Sequence, residues 1–236
     1  MNILSNAERR SARMTAAEGT PIISAKSYNL IMCGTVLFGL ILNVLMCYFC
    51  TGLALSINPL ALIIGYVVFA IAGTVIAYRS AKPVVSFIGY CMVVIPLGLV
   101  IAVSVYSYGG IDSAIVMNAF LLTGIITLVM TLLATLVPWF FSGIGQYLLT
   151  VLIGLIVCEV VCLLLGMSNY IFSLIAAGVF SLYIGFDVYR SQSCAKTVDN
   201  AIDCALDIYL DIVNLFLRLL ASSSRNGGSS GGSGRK

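Results

Sequence analysis

The sequence predicts an all-α polytopic membrane protein with seven transmembrane helices and a semi-polar, central last helix. Three observations carry that prediction. The 236 residues are 61% hydrophobic and 9% charged, so a water-soluble core of this size would lack the charged shell it needs. The few charges are also unevenly spread. No Asp, Glu, Lys or Arg lies between Tyr28 and Tyr78, and only Asp112 and Glu159 lie between Val84 and Phe186. Finally, the last hydrophobic segment carries aspartates at helical spacing. A bilayer supplies apolar surroundings at about 20 residues per spanning helix.

In chain order, residues 1–27 form a polar N-terminal tail with Arg9, Arg10, Arg13 and Lys26. No basic-then-apolar leader opens it, so the first spanning helix is expected to direct insertion itself. The membrane domain covers 28–220, with helices predicted over 28–51, 58–78, 84–107, 114–137, 144–165, 168–188 and 201–220. Asn58-Pro59, Lys82-Pro83, Tyr108-Gly109-Gly110, Pro138-Trp139 and Gly166 to Asn169 mark the breaks, because Gly and Pro punctuate helices. Trp139 and several tyrosines suit the interfacial belt. Residues 221–236 read as a flexible Gly/Ser-rich tail.

Basic residues orient the chain. With the N-terminus inside, the cytoplasmic side carries Arg9, Arg10, Arg13, Lys26, Arg79, Lys82, Arg190 and Lys196, and the opposite interhelical loops carry no Lys or Arg. Seven full crossings would leave Arg218, Arg225, Arg235 and Lys236 outside. The same rule prefers them inside, which requires the last segment to re-enter. Both arrangements are compatible with the residues.

The candidate functional residues are acids inside apolar segments. Asp187 lies in FSLYIGFDVY and Asp211 in ALDIYLDIVNLFLRLL. An acid at membrane depth costs about 2.5–3.5 kcal/mol on insertion scales and needs a functional or structural reason. Asp203, Asp207 and Asp211 fall at i, i+4 and i+8, a drift of only about 80° around a helix, so they share one face. That face must meet protein or water, which argues for a central helix enclosed by the other six.

FSLYIGFDVYRSQ, followed by DNAIDCALDIYLDIVNLFLRLL, resembles the signature of the Bax inhibitor-1 family, also called the transmembrane Bax-inhibitor-motif family. That signature is a sixth helix ending in an Asp-containing motif, then Ala-Leu-x-Leu-Tyr-Leu-Asp-Ile-x-Asn-Leu-Phe. Ala205 to Phe216 carry the second part here. The resemblance implies a seven-helix fold and passage of calcium gated by protonation of a paired-aspartate sensor. The sensor positions fall on Asp187 and Asp211, 24 residues apart, and the basic gate partner falls on Arg79. Three departures stand out. Asp207 replaces a usually apolar residue, the second helix lacks an acid some members carry, and the sixth-helix motif reads Asp-Val-Tyr-Arg.

The chain contains no histidine, so pH sensing near neutrality must come from carboxylates with raised pKa values. Burial raises a carboxylate's pKa, and a second carboxylate nearby raises one of the two further. Asp187 and Asp211 could thus share one proton and titrate together. Sharing would pin the sixth helix to the seventh; losing the proton would drive them apart and expose oxygen ligands for transient calcium. A purely structural role for both acids is the competing account. Asp203 and Asp207 either line a water-filled entrance or mark the wet end of a helix near the interface. Glu159 is either a stop on the ion pathway, a partner for Arg79, or a structural acid. Asn214 either holds Asp211 or makes a plain interhelical hydrogen bond, and Arg218 is expected to snorkel to the interface.

No catalytic residue set or cofactor is expected; calcium enters only as the permeant ion. An aspartyl protease would need Gly-x-Gly-Asp, whereas Ile208, Tyr209 and Leu210 precede Asp211. The alternative function is a membrane interaction protein that suppresses cell death or regulates a membrane protease without conducting ions. A proton or solute transporter would use the same acids, but no pair of broken helices in matching halves supports it. The expected partners are the lipid bilayer and calcium, with no nucleic acid and no protein partner legible in the residues. The eight cysteines read as reduced packing residues, the CYFC of Cys47 and Cys50 being the one visible redox or metal spacing. The plasma membrane of a bacterium is the favoured location, the endoplasmic reticulum the alternative.

Overall fold

A computed structural model of the chain describes residues 20–165 and 170–223, and these contain helices but no strand. The helices are α1 (Ala25–Phe49), α2 (Thr51–Ser56), α3 (Pro59–Arg79), α4 (Pro83–Ser107), α5 (Ala114–Leu136), α6 (Pro138–Leu164), α7 (Tyr170–Ser193) and α8 (Val198–Ser223). At about 1.5 Å per residue, each of the seven long helices exceeds the roughly 30 Å of a bilayer's hydrocarbon core. Five of them, α1, α3, α4, α5 and α7, are also apolar enough to cross, and α6 makes a sixth if its bent halves count as one span. The expected seventh, α8, carries Asp199, Asp203, Asp207, Asp211 and Arg218 and does not qualify on composition.

Local chemistry sets the helix ends. Ser24 caps α1, its hydroxyl accepting from the Ser27 amide at 3.1 Å. Asn58 caps α3 by accepting from the Leu60 amide at 2.9 Å, and Pro59 follows at the first helical position, where its missing N–H costs nothing. Thr197 caps α8 through the Asn200 amide at 3.2 Å. Between α4 and α5 the chain turns through Gly109 and Gly110, with φ of 98° and 83°, a left-handed backbone that side chains disfavour. Helix α6 begins at Pro138 rather than near residue 144, because Pro138 starts a helix instead of breaking one. Its two parts, Pro138–Gly145 and Tyr147–Glu159, differ in direction by 55°. The expected break from Gly166 to Asn169, most of the N-terminal tail and most of the C-terminal tail lie outside the described residues.

The chain forms two compact units. Unit 1 comprises Met1–Val103 and Arg190–Tyr209; unit 2 comprises Ser104–Tyr189 and Leu210–Lys236. In unit 1, α3 and α4 cross at glycines. A Cβ on Gly89 would lie 2.5 Å from the Gly73 carbonyl oxygen and 2.7 Å from the Ala77 nitrogen, and one on Gly73 would lie 2.5 Å from the Gly89 carbonyl oxygen. Only glycine permits this backbone approach, which suits helices packed in lipid. In unit 2, α6 and α7 interlock reciprocally: the Phe141 ring occupies the space over Gly185, and the Phe186 ring the space over Gly145.

Burial separates the helices sharply. In α3 only Leu62, Gly73 and Ala77 are buried, and in α5 only Val116, Ala119, Thr123 and Ala134. No residue of α8 is exposed. Burial of these residues is what an acidic stripe demands.

Candidate functional site

Unit 2 holds the expected sensor pair. Asp187 sits in the C-terminal part of α7 and Asp211 in the middle of α8, and both are 8% exposed. Asn214 is half-buried one turn beyond Asp211. The same unit answers the question of Glu159. Its two carboxylate oxygens accept from Arg218, one of them at 2.9 Å, tying α6 to α8. The sequence offered Arg79 as a partner for Glu159 and the interface as a home for Arg218; the structure joins the two residues to each other. Their side chains remain 17% and 30% exposed, so the pair is partly shielded rather than fully buried.

Unit 1 holds a second set of polar contacts, around the first half of α8. Asp207, the departure from the family pattern, accepts from Arg190 at 2.5 Å and from the Tyr78 hydroxyl. It therefore links the end of α7, α8 and the last turn of α3. Asp203 is 2% exposed, a deeper position than the wet end of an interfacial helix. Asp199, one turn earlier, accepts from the Ser86 hydroxyl of α4 at 2.5 Å. Arg79 is exposed at the C-terminal end of α3, and Arg190 is a cation that pairs with Asp207. A second polar chain runs through the same unit. The Asn43 amide donates to the Tyr209 hydroxyl at 2.5 Å, the Tyr209 ring meets Tyr90 edge-on at 5.7 Å, and the Tyr90 hydroxyl donates to the Thr35 carbonyl at 2.7 Å.

The short connection from α7 to α8 is itself anchored. The Ile23 amide donates to the Lys196 carbonyl at 2.8 Å. The Lys196 ammonium donates to the Ser191 and Gln192 carbonyls at 3.2 and 2.9 Å and lies 4.3 Å from the centre of the Tyr28 ring. Burial lowers the Lys196 pKa from the ordinary lysine value, against an opposing pull from the Cys194 and Cys204 sulfurs. The Tyr28 hydroxyl donates to the Ser191 carbonyl at 3.1 Å and to the Cys204 sulfur at 3.3 Å.

Sequence reasoning did not find Arg190, Tyr78, Ser86 or Asp199. A usable signal existed for Arg190. In a chain this poor in charge, an arginine ending one helix and an aspartate early in the next are candidates to pair.

Apolar helices long enough to span, with carboxylates enclosed between them, define a multi-pass helical membrane protein. The chain belongs to the Bax inhibitor-1 family: the profile described as Inhibitor of apoptosis-promoting Bax1 matches residues 23–226. An uncharacterized membrane protein of Streptococcus pyogenes serotype M3 is 30% identical over 119 residues, 47% of this chain and 52% of that protein. An uncharacterized protein of Helicobacter pylori strain 26695 is 36% identical over 84 residues, 34% of each chain. The alignment thus spans about half of the streptococcal relative and about a third of the Helicobacter one.

Proposed function

We propose that the protein is a pH-sensitive calcium leak channel whose gate is the carboxylate pair Asp187 and Asp211. The observation that carries this reading is the burial of both acids, at 8% exposure each, on the last two helices of a chain of this family. Burial favours the protonated acid, and proximity of two carboxylates favours a single shared proton. One proton between them holds α7 to α8. As pH rises the proton leaves, the like charges repel, and the freed oxygens offer the hard ligand set calcium prefers. Flux therefore increases with pH across the pair's titration. In this reading Glu159 and Asn214 add polar positions within the unit that holds the pair. No cofactor and no catalytic step are involved. The bacterial membrane proteins among its relatives favour a bacterial plasma membrane over the endoplasmic reticulum.

The family's description as an inhibitor of apoptosis-promoting Bax1 favours a second reading, a membrane interaction protein that acts without conducting ions. Calcium flux into proteoliposomes from about pH 5 to pH 8 separates the two, since that range spans the reach of raised carboxylate pKa values. Flux that varies with pH in the parent and not in Asp187→Asn or Asp211→Asn supports the gate. Flux equal to empty liposomes, with all three proteins folded, favours the interaction reading.

A further inference from the structure

We infer that Cys194 and Cys204 form a redox-active dithiol, converted by hydrogen peroxide into a disulfide at the α7–α8 junction. Their sulfurs lie 3.8 Å apart, and a disulfide needs an approach to about 2.05 Å. One cysteine follows the end of α7 and the other stands in the second turn of α8, with the four-residue connection between the helices placing them together. This proximity is independent of ion conduction.

The surroundings suit thiolate chemistry. The Tyr28 hydroxyl donates to the Cys204 sulfur at 3.3 Å. The Lys196 ammonium sits in the connection between the two cysteines, and its own titration responds to both sulfurs. The Cys204 thiol donates to the Cys194 sulfur. This bond together with the neighbouring ammonium favours the anion on Cys194, the form that reacts, whereas Cys194 and burial hold Cys204 as the neutral resolving thiol. Cys194 is 8% exposed and Cys204 2%, and the exposed residues Gln192 and Ser193 precede Cys194. That order assigns the roles: Cys194 meets the oxidant and Cys204 resolves.

The chemistry balances. The Cys194 thiolate attacks one peroxide oxygen, the O–O bond breaks, and water leaves after protonation, with a sulfenic acid on Cys194. The Cys204 sulfur then attacks the Cys194 sulfur, the S–S bond forms, and the sulfenic oxygen leaves as a second water. Two thiols together lose two electrons, which the peroxide gains, and both thiol hydrogens end in water.

The bond would sit beside the charged link described above. Cys194 is one turn beyond Arg190, its thiol donating to the Arg190 carbonyl at 3.6 Å, and Cys204 is three residues before Asp207. Oxidation therefore fixes the two helix ends that the Arg190–Asp207 pair bridges.

The test uses the full chain in phospholipid nanodiscs, treated with hydrogen peroxide, alkylated and digested for mass spectrometry. The expected result is a Cys194–Cys204 linked peptide, lighter by two hydrogens and abolished by dithiothreitol. Cys204→Ser should instead leave Cys194 as a sulfenic acid that dimedone traps. Both cysteines remaining alkylatable at peroxide levels that oxidise a simple thiol, or oxidising separately without a link, overturns the assignment from the wild-type chain alone. Lys196→Gln should slow linkage by about threefold if the ammonium favours the attacking thiolate, the loss of thiolate being offset in part by a gain in nucleophilicity. An unchanged rate removes Lys196 from the site.

Discussion

Helices α5 and α8 answer opposite demands within one chain. Helix α5 has no ionisable residue and leaves most of its surface exposed, with Leu128 at 73%. Helix α8 carries four aspartates and an arginine and exposes none of its residues. Lipid solvates the first as well as protein would, so α5 needs few neighbours. Lipid cannot solvate the second, so every acid on α8 needs a protein surface, and its burial follows from charge rather than from hydrophobicity. The apolar helices are what the membrane holds, and the polar helix is what the protein holds.

The sharpest way to break this contrast is to truncate one leucine in each helix. Leu206→Ala on α8, at 0% exposure, is expected to cost about 2–5 kcal/mol, as large-to-small core changes do. Leu128→Ala on α5 should stay within about 0.5 kcal/mol. Thermal unfolding of the two variants in one detergent measures both, and equal losses would contradict the division. Next in size, Arg218→Gln strips the cation from Glu159 and should cost about 1–3 kcal/mol, less than a fully buried pair because the side chains are part-exposed. Adding Glu159→Gln to that variant should recover most of the loss; failure to recover would mean Arg218 acts through packing instead.

Glycines sharpen the comparison further. At Gly89 a Cβ has no room against the Gly73 and Ala77 backbone, and Gly89→Ala should cost about 1–3 kcal/mol through overpacking. At Gly124 on α5 nothing lies within 4 Å of a Cβ. Gly124→Ala should therefore stabilise by up to about 1 kcal/mol, the ordinary helix-propensity gain. Opposite signs at two helix glycines, read from paired melting curves, are the smallest and cleanest signature.

Five of the seven expected spans, and a sixth if the two parts of α6 count as one, were legible because they depend on local composition alone. Helix α3 was expected over 58–78 and runs Pro59–Arg79; α4 was expected over 84–107 and runs Pro83–Ser107. The start of α6 was displaced because Pro138 can end one helix or begin the next, and periodicity does not choose. The acids were legible as acids, but their partners were not. Pairing Arg218 with Glu159, or Arg190 with Asp207, depends on which helix faces meet, and a nearly uniform apolar sequence does not specify that. The cysteines teach the same lesson. CYFC displayed a familiar spacing, whereas Cys194 and Cys204 are brought together by a helix junction and show no motif.

The burial of α8 also bears on how the protein is made. At about 2.5–3.5 kcal/mol per aspartate near a helix centre, a segment with Asp203, Asp207 and Asp211 gains little by leaving the insertion machinery alone. It can settle only against helices already in place. Synthesis supplies this order, because α8 emerges after α3, α4, α6 and α7, which carry the partners of its charged residues. The last helix is thus a late passenger, admitted by its neighbours rather than by the lipid.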